Sequence, residues 1–259
     1  MANDDFLLSV EEVALAMSIV GQPEMAHNLM AAQLGEMQQE EARARLLAAG
    51  HSLMARGWLT MDAQGTMHLA EPLGRVARVL SRADFSVRYS RSHRNADFSL
   101  SFHFGEGGIF AHRIEQGVVH HITEVQDTDA VIRGGLTFFE MAQVRPFTCP
   151  SAEIPYSLLD EIKDEEDTSS ILRRLEETGV PEETRTLLAE DLRGVQYRGS
   201  ILRVEYGEDN LPRSDHGLLV LRGPERLWLL RPLIWEGDLS VALLPGTEEA
   251  FRQEVAALL

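Results

Sequence analysis

Four histidines crowd one stretch of the chain: His103, His112, His120 and His121. Imidazole nitrogens are common zinc ligands, and three of them brought together could hold a metal ion. Their spacing is not that of a ligand pair on one strand or one helix, and no cysteine lies near them in the sequence. His120 and His121 are adjacent, so on a strand they face opposite ways. The pattern therefore reads as scattered surface or interstrand histidines, with His103 on the polar face of its strand, and no metal is expected. Gly105-Glu106-Gly107-Gly108 has the glycine density of a phosphate cradle. It lacks the Lys-Ser/Thr and the helix start that such a cradle needs, and it reads as a hairpin turn. No serine sits in a Gly-x-Ser-x-Gly elbow. The single cysteine, Cys149, reads as a small apolar filler. No catalytic residue and no cofactor are expected.

The bulk properties narrow the classes further. The chain has 259 residues, 41 of them acidic against 24 basic, for a net charge of -17. Lys163 is the one lysine; the other basic residues are arginines. Such a surface repels phosphate backbones, which argues against nucleic acid as a partner. Apolar residues make up 44% of the chain, enough for a sizeable core. The stretch Met1 to Asp5 is acidic and lacks a basic leader segment, and no apolar run is long enough to cross a membrane. These features predict a cytoplasmic protein that does not insert into membranes.

The elements that must position these residues follow from periodicity. Ser9 to Val20 reads as a helix opened by a Ser9/Glu12 capping box, with further helices over Glu24 to Leu34 and Gln38 to Arg56. Gly50 lies inside the third and is a candidate break. Trp58 to Thr60 and Thr66 to Leu69 flank a turn-like Asp62-Ala63-Gln64-Gly65, so three helices and two short strands give the outline of a winged helix. A helix over Glu71 to Arg82 precedes a change of period from 3.6 to 2. Phe85, Val87 and Tyr89, then Phe98, Leu100, Phe102 and Phe104, alternate with polar residues as in half-buried antiparallel strands. Arg91 to Asp97 reads as a polar hairpin loop between them. Two more strands, over Ile109 to Ile114 and Val118 to Val125, lead into a helix over Asp127 to Ala142, with Gly134-Gly135 as a weak point.

Pro146, Pro150 and Pro155 mark a connection, followed by short helices over Tyr156 to Asp164, Ser169 to Glu177 and Pro181 to Leu192. Asp160 to Asp167 is an acidic run around Lys163, read as a solvated face. Four strand-like runs from Ile201 to Leu244 and a helix capped by Thr247 then repeat the earlier order of strands and closing helix. The repeat predicts an α/β (α+β) fold of two related, quasi-two-fold subdomains, residues 1–145 and 146–259.

Three places carry a family resemblance: Ala48 to Leu59 with its Arg56-Gly57; Leu73 to Tyr89; and Leu172 to Arg222, which holds Thr178-Gly179-Val180-Pro181, Arg198-Gly199 and a polar turn before Gly217. In these the chain resembles the EspG family, the cytosolic chaperones of type VII (ESX) secretion. The resemblance implies a central, mainly antiparallel sheet flanked by helices. It implies a non-enzymatic adaptor whose partner is a secreted PE–PPE-like heterodimer. It also implies that a hairpin loop in the first half and a helical bundle in the second grip the client. The matching residues are Arg91, Ser92, His93, Arg94 and Asn95 in the loop, and Leu158, Ile162 and Leu172 in the helices. The alternative left open is a transcriptional regulator in which the winged helix is joined to an effector domain.

Overall fold

The computed structural model describes residues 5–93, 96–162, 165, 167–207, 212–235 and 238–259. In chain order the elements are β1 (Asp5–Ser9), α1 (Val10–Ile19), α2 (Pro23–Leu34), α3 (Gln39–Ala55), β2 (Leu59–Met61), β3 (Met67–Leu69), α4 (Glu71–Ser81), β4 (Phe85–His93), β5 (Ala96–Gly105), β6 (Gly108–Glu115), β7 (Val119–Val125) and α5 (Thr128–Phe138). After these come β8 (Ala152–Pro155), α6 (Tyr156–Ile162), α7 (Thr168–Glu177), α8 (Glu182–Arg193), β9 (Tyr197–Tyr206), β10 (Pro212–Arg222), β11 (Leu227–Trp235), β12 (Asp238–Pro245) and α9 (Glu248–Ala256). The fold is mixed α/β, with a large antiparallel sheet flanked by helices. Four strands followed by a helix occur twice, as β4 to β7 with α5 and as β9 to β12 with α9. By compactness, residues 1–86, 100–127 and 205–213 form one unit, and 87–99, 128–204 and 214–259 form another.

The first unit is built on α1. Ser9 accepts from the Glu12 backbone N–H at 3.2 Å, and the Glu12 carboxylate accepts from the Ser9 N–H at 2.9 Å, which completes the expected capping box. Val10, Val13, Ala14 and Met17 are buried, so α1 is the spine against which α2, α3 and α4 pack. The third helix does not break at Gly50. A Cβ there would lie 3.5 Å from Leu15 Cδ2, so the glycine sits where α3 passes close to α1. The β2–β3 wing closes on Asp62, whose carboxylate accepts from the backbone N–H groups of Gln64 and Thr66, with Gly65 at φ +83°. Strands β1, β7, β6 and β5 follow one another in that order, and Phe6, Leu8, Phe110 and Ile122 join the helix side chains in one core.

In the second unit the strand order is β4-β9-β10-β11-β12-β8. The proline-rich connection contains β8, which pairs with β12 in the register Val241 with Ile154. A proline is tolerated there because β8 is an edge strand and Pro155 is its last residue. Helices α5 and α9 pack together, and Gly135 permits the contact: a Cβ at that position would sit 2.8 Å from Tyr89 Cζ and 2.9 Å from Phe251 Cζ. Gly135 is thus a close-packing residue and not a weak point. Helices α6, α7 and α8 bury Leu158, Ile162, Ile171, Leu175 and Leu188 against Trp228, Leu230 and Val241 of the sheet. Asp191, 1% exposed, accepts from the Trp228 indole N–H and from Arg226 Nε, both at 2.8 Å, and so brings a buried carboxylate into a satisfied network.

Candidate functional site

Of the residues expected to meet a client, Arg94 and Asn95 lie outside the described residues, and the others lie in the second unit. The described part of the polar run is strand. Strand β4 continues to His93 and β5 begins at Ala96, so Arg91 to His93 belong to a ladder and not to a loop. The reason is local pairing. Ser92 donates to Asp97 Oδ1 at 2.5 Å, and His93 Nδ1 meets the Gln196 carbonyl. Arg91 is half-buried, with its guanidinium about the rings of Phe98, Phe138 and Tyr197 at 5.4, 5.3 and 5.3 Å. It donates to Glu140 at 2.9 Å, and its Nε is buried without a hydrogen-bond partner. This arginine is an anchor in an aromatic cage, whereas Ser92 and Phe98 face solvent. Burial pushes the Tyr197 hydroxyl up to about 12, against the opposing pull of the Arg222 and Arg91 charges.

The helical candidates divide by burial. Leu158 and Ile162 are 7% and 1% exposed and belong to the core, so neither presents a surface as packed here. The 3.6-residue period turns both toward the sheet, and Leu159, one position on from Leu158, sits at the flank of that face, packed against the same core. Leu159 and Leu172 are half-buried. Leu159 lines a groove of about 140 Å³ with Tyr156, Leu192, Leu219, Val220, Leu221 and Leu230, and Asp160 and Arg198 supply its polar groups. An apolar floor with a charged rim is the composition of a small docking pocket. The strand residues of this groove lie about 60 positions from α6 in sequence, and helical periodicity alone gave no sign of them.

The histidines of the first unit are not scattered. Strand pairing sets Ser101 opposite His112 and His112 opposite Ile122, which puts His103, His112 and His120 on one face, in diagonal succession across β5, β6 and β7. His103 Nε2 lies 3.3 Å from His112 Nδ1, and His112 Nε2 lies 2.8 Å from His120 Nδ1. Ser86 Oγ closes one end at 2.8 Å from His103 Nδ1, and Gln33 Oε1 closes the other at 3.1 Å from His120 Nε2. His103 and His120 are 9% and 0% exposed, so the expected polar face of β5 is an interior one here. Burial on both faces of Ser101 to Phe104 defeats the inference from alternation, and the polar side chains are accommodated by bonding one another. Burial pushes the His120 imidazole down to about 4. His121 faces the other way and meets Glu115 at 3.1 Å. The three rings engage each other in a line and do not converge on a point, and among the described residues no group of three or more His, Cys, Asp or Glu is arranged to hold a metal ion.

The winged-helix portion presents few free cations. Arg45 pairs with Glu11 and Glu41 at 3.1 and 3.0 Å, and Arg56 pairs with the buried Glu12 and donates to the Leu7 carbonyl at 3.0 Å. Among the described residues no helix is long and apolar enough to cross a membrane.

Three likenesses place these units among known proteins. The chaperone EspG5 of the Mycobacterium tuberculosis type VII secretion system, solved in complex with the PE25-PPE41 dimer, superposes with a TM-score of 0.71 at 13% identity, over 98% of this chain and 95% of that one. At that identity the likeness is one of fold, and the fold is EspG-like. A Bacillus subtilis (strain 168) protein, YfjC, is 24% identical, with 97% of this chain and 98% of the relative covered. A family model described as "Uncharacterised protein YfjC" matches residues 5–241, and the chain belongs to the YfjC family.

Proposed function

We propose that this protein is a non-enzymatic, cytosolic adaptor of the EspG type, which binds a secreted protein client and keeps its apolar tip covered before export. The observation that carries the reading is the EspG-like fold running through 98% of the chain. In the EspG5 structure the bound protein is a PE25-PPE41 dimer, and the client proposed here is a helical heterodimer of that kind. The surface proposed for it lies in the second unit: the groove beside Leu159 and the half-buried Leu172 take apolar side chains, while Ser92 and His93, with Arg94 and Asn95 beyond them, supply hydrogen bonds. Leu158 and Ile162 act beneath this surface, by packing. The acidic balance of the chain and the ion-paired Arg45 and Arg56 disfavour the regulator reading, because a recognition helix must offer unpaired cations to phosphates.

The test is co-purification with helical secreted proteins encoded beside this gene. Wild type retains the client; Leu159→Glu and Leu172→Glu reduce the retained fraction at least tenfold without a large change in melting temperature. Undiminished retention by both variants removes the helical surface from the reading, and failure of wild type to retain any such protein removes the reading itself.

A further inference from the structure

We propose that Ser86, His103, His112, His120 and Gln33 form a one-proton latch that fastens the last turn of α2 to the sheet of the first unit. The geometry admits one neutral proton arrangement with Gln33 Oε1 as the terminal acceptor. Ser86 O–H donates to His103 Nδ1, and each ring then donates from Nε2 to Nδ1 of the next, until His120 donates to Gln33. All six ring nitrogens are engaged. A proton added at the Ser86 end makes His103 a donor on both sides, and Ser86 turns from donor to acceptor, so every bond survives. A second proton has no such place. It sets two N–H groups face to face in one of the contacts, and it puts two cations on rings whose centroids are 5.0 to 5.5 Å apart. The row must then open.

What opens is the last turn of α2. The buried Ala26 and Met30 lie in the earlier turns with Leu29 packed beside them, whereas the last turn, Ala31 to Leu34, holds no fully buried residue and runs into Gly35 at φ +81° with nothing within 4 Å of its Cβ position. A helix end with so little burial opens at low free-energy cost. Gln33 is its polar tie to the sheet. On the elements packed over the row, Glu11 and Glu12 of α1 pair with Arg45 and Arg56, Glu71 and Arg78 of α4 pair with each other, Arg75 of α4 holds Glu124 of β7 at 2.7 Å, and Glu24 and His27 of α2 are exposed. The Arg75 guanidinium holds the Glu124 carboxyl below its usual range, so that pair stays charged while the imidazoles titrate.

Two measurements on the full chain test the latch. Nitrogen-15 spectra of the histidine rings at pH 7 show His103, His112 and His120 all protonated on Nε2, and acidification adds one proton to the row before any ring of it is released. Three rings that titrate independently, or the Nδ1–H form on His112 at neutral pH, overturn the proposal. Hydrogen exchange then reads the consequence. Corrected for intrinsic rates, protection in the last turn of α2 falls at least tenfold between pH 7 and about pH 4, while α3 is unchanged. Gln33→Met, a change at a half-buried position that leaves the core intact, makes the last turn equally unprotected at both pH values. Wild-type protection that does not change, or an undiminished pH dependence in Gln33→Met, contradicts it.

Discussion

At the scale of single residues, buried polar groups carry the sharpest consequences. His120 is 0% exposed, and burial lowers its imidazole to about 4. The unfolded chain, with a histidine near its ordinary value of about 6.5, binds this proton more tightly than the folded one. Stability from the neutral ring is therefore complete above about pH 6.5 and is lost as pH falls toward 4, by up to about 3 kcal/mol. Urea unfolding of wild type and His120→Gln across that window measures it: the wild type loses stability on acidification, and the variant, weaker at pH 7, shows a flatter profile. Asp191 is the second case. Its carboxylate, 1% exposed, serves both Trp228 and Arg226. Asp191→Ala leaves an indole N–H and a guanidinium short of their acceptor, and we expect a loss of about 3 kcal/mol in the same assay.

At the scale of elements, glycine shows how sequence and packing part company. Gly50 and Gly135 both stand inside helices and read alike from sequence, as points of weakness. A Cβ at Gly50 meets Leu15 at an ordinary 3.5 Å, so Gly50→Ala gains helix propensity and raises stability by up to about 1 kcal/mol. At Gly135 the same Cβ falls 2.8 Å from a Tyr89 ring that is itself 0% exposed. Overpacking costs about 1 to 3 kcal/mol and outweighs the propensity gain, so Gly135→Ala lowers the melting temperature. What was legible in the sequence is what depends on near neighbours: the Ser9 capping box, the Thr247 cap, and helices α6 to α8. What was hidden depends on pairing at a distance. Strand β8 is four residues long and bounded by proline, and only its ladder with β12 defines it. The imidazole row needs the registers of β5 with β6 and of β6 with β7, plus Gln33 from a helix 87 positions away from His120. In the candidate client surface, the resemblance pointed to the helices that carry Leu158, Ile162 and Leu172, but which of their side chains are buried is decided by tertiary packing, which leaves Leu159 lining the groove.

At the scale of the whole molecule, a net charge of -17 opposes approach to nucleic acid, and the proposed client contact is apolar with a polar rim. These two features give opposite salt responses. Binding through phosphate contacts weakens steeply as salt rises, while apolar burial is insensitive to screening. The most direct test of an adaptor role is therefore the mass in solution, by light scattering after size exclusion, of this chain co-expressed with the helical secreted proteins encoded beside it. The account predicts a stoichiometric complex that persists unchanged from about 0.1 M to about 1 M salt. A chain that elutes alone beside every such protein, and that binds promoter DNA at low salt and releases it at high salt, would contradict it.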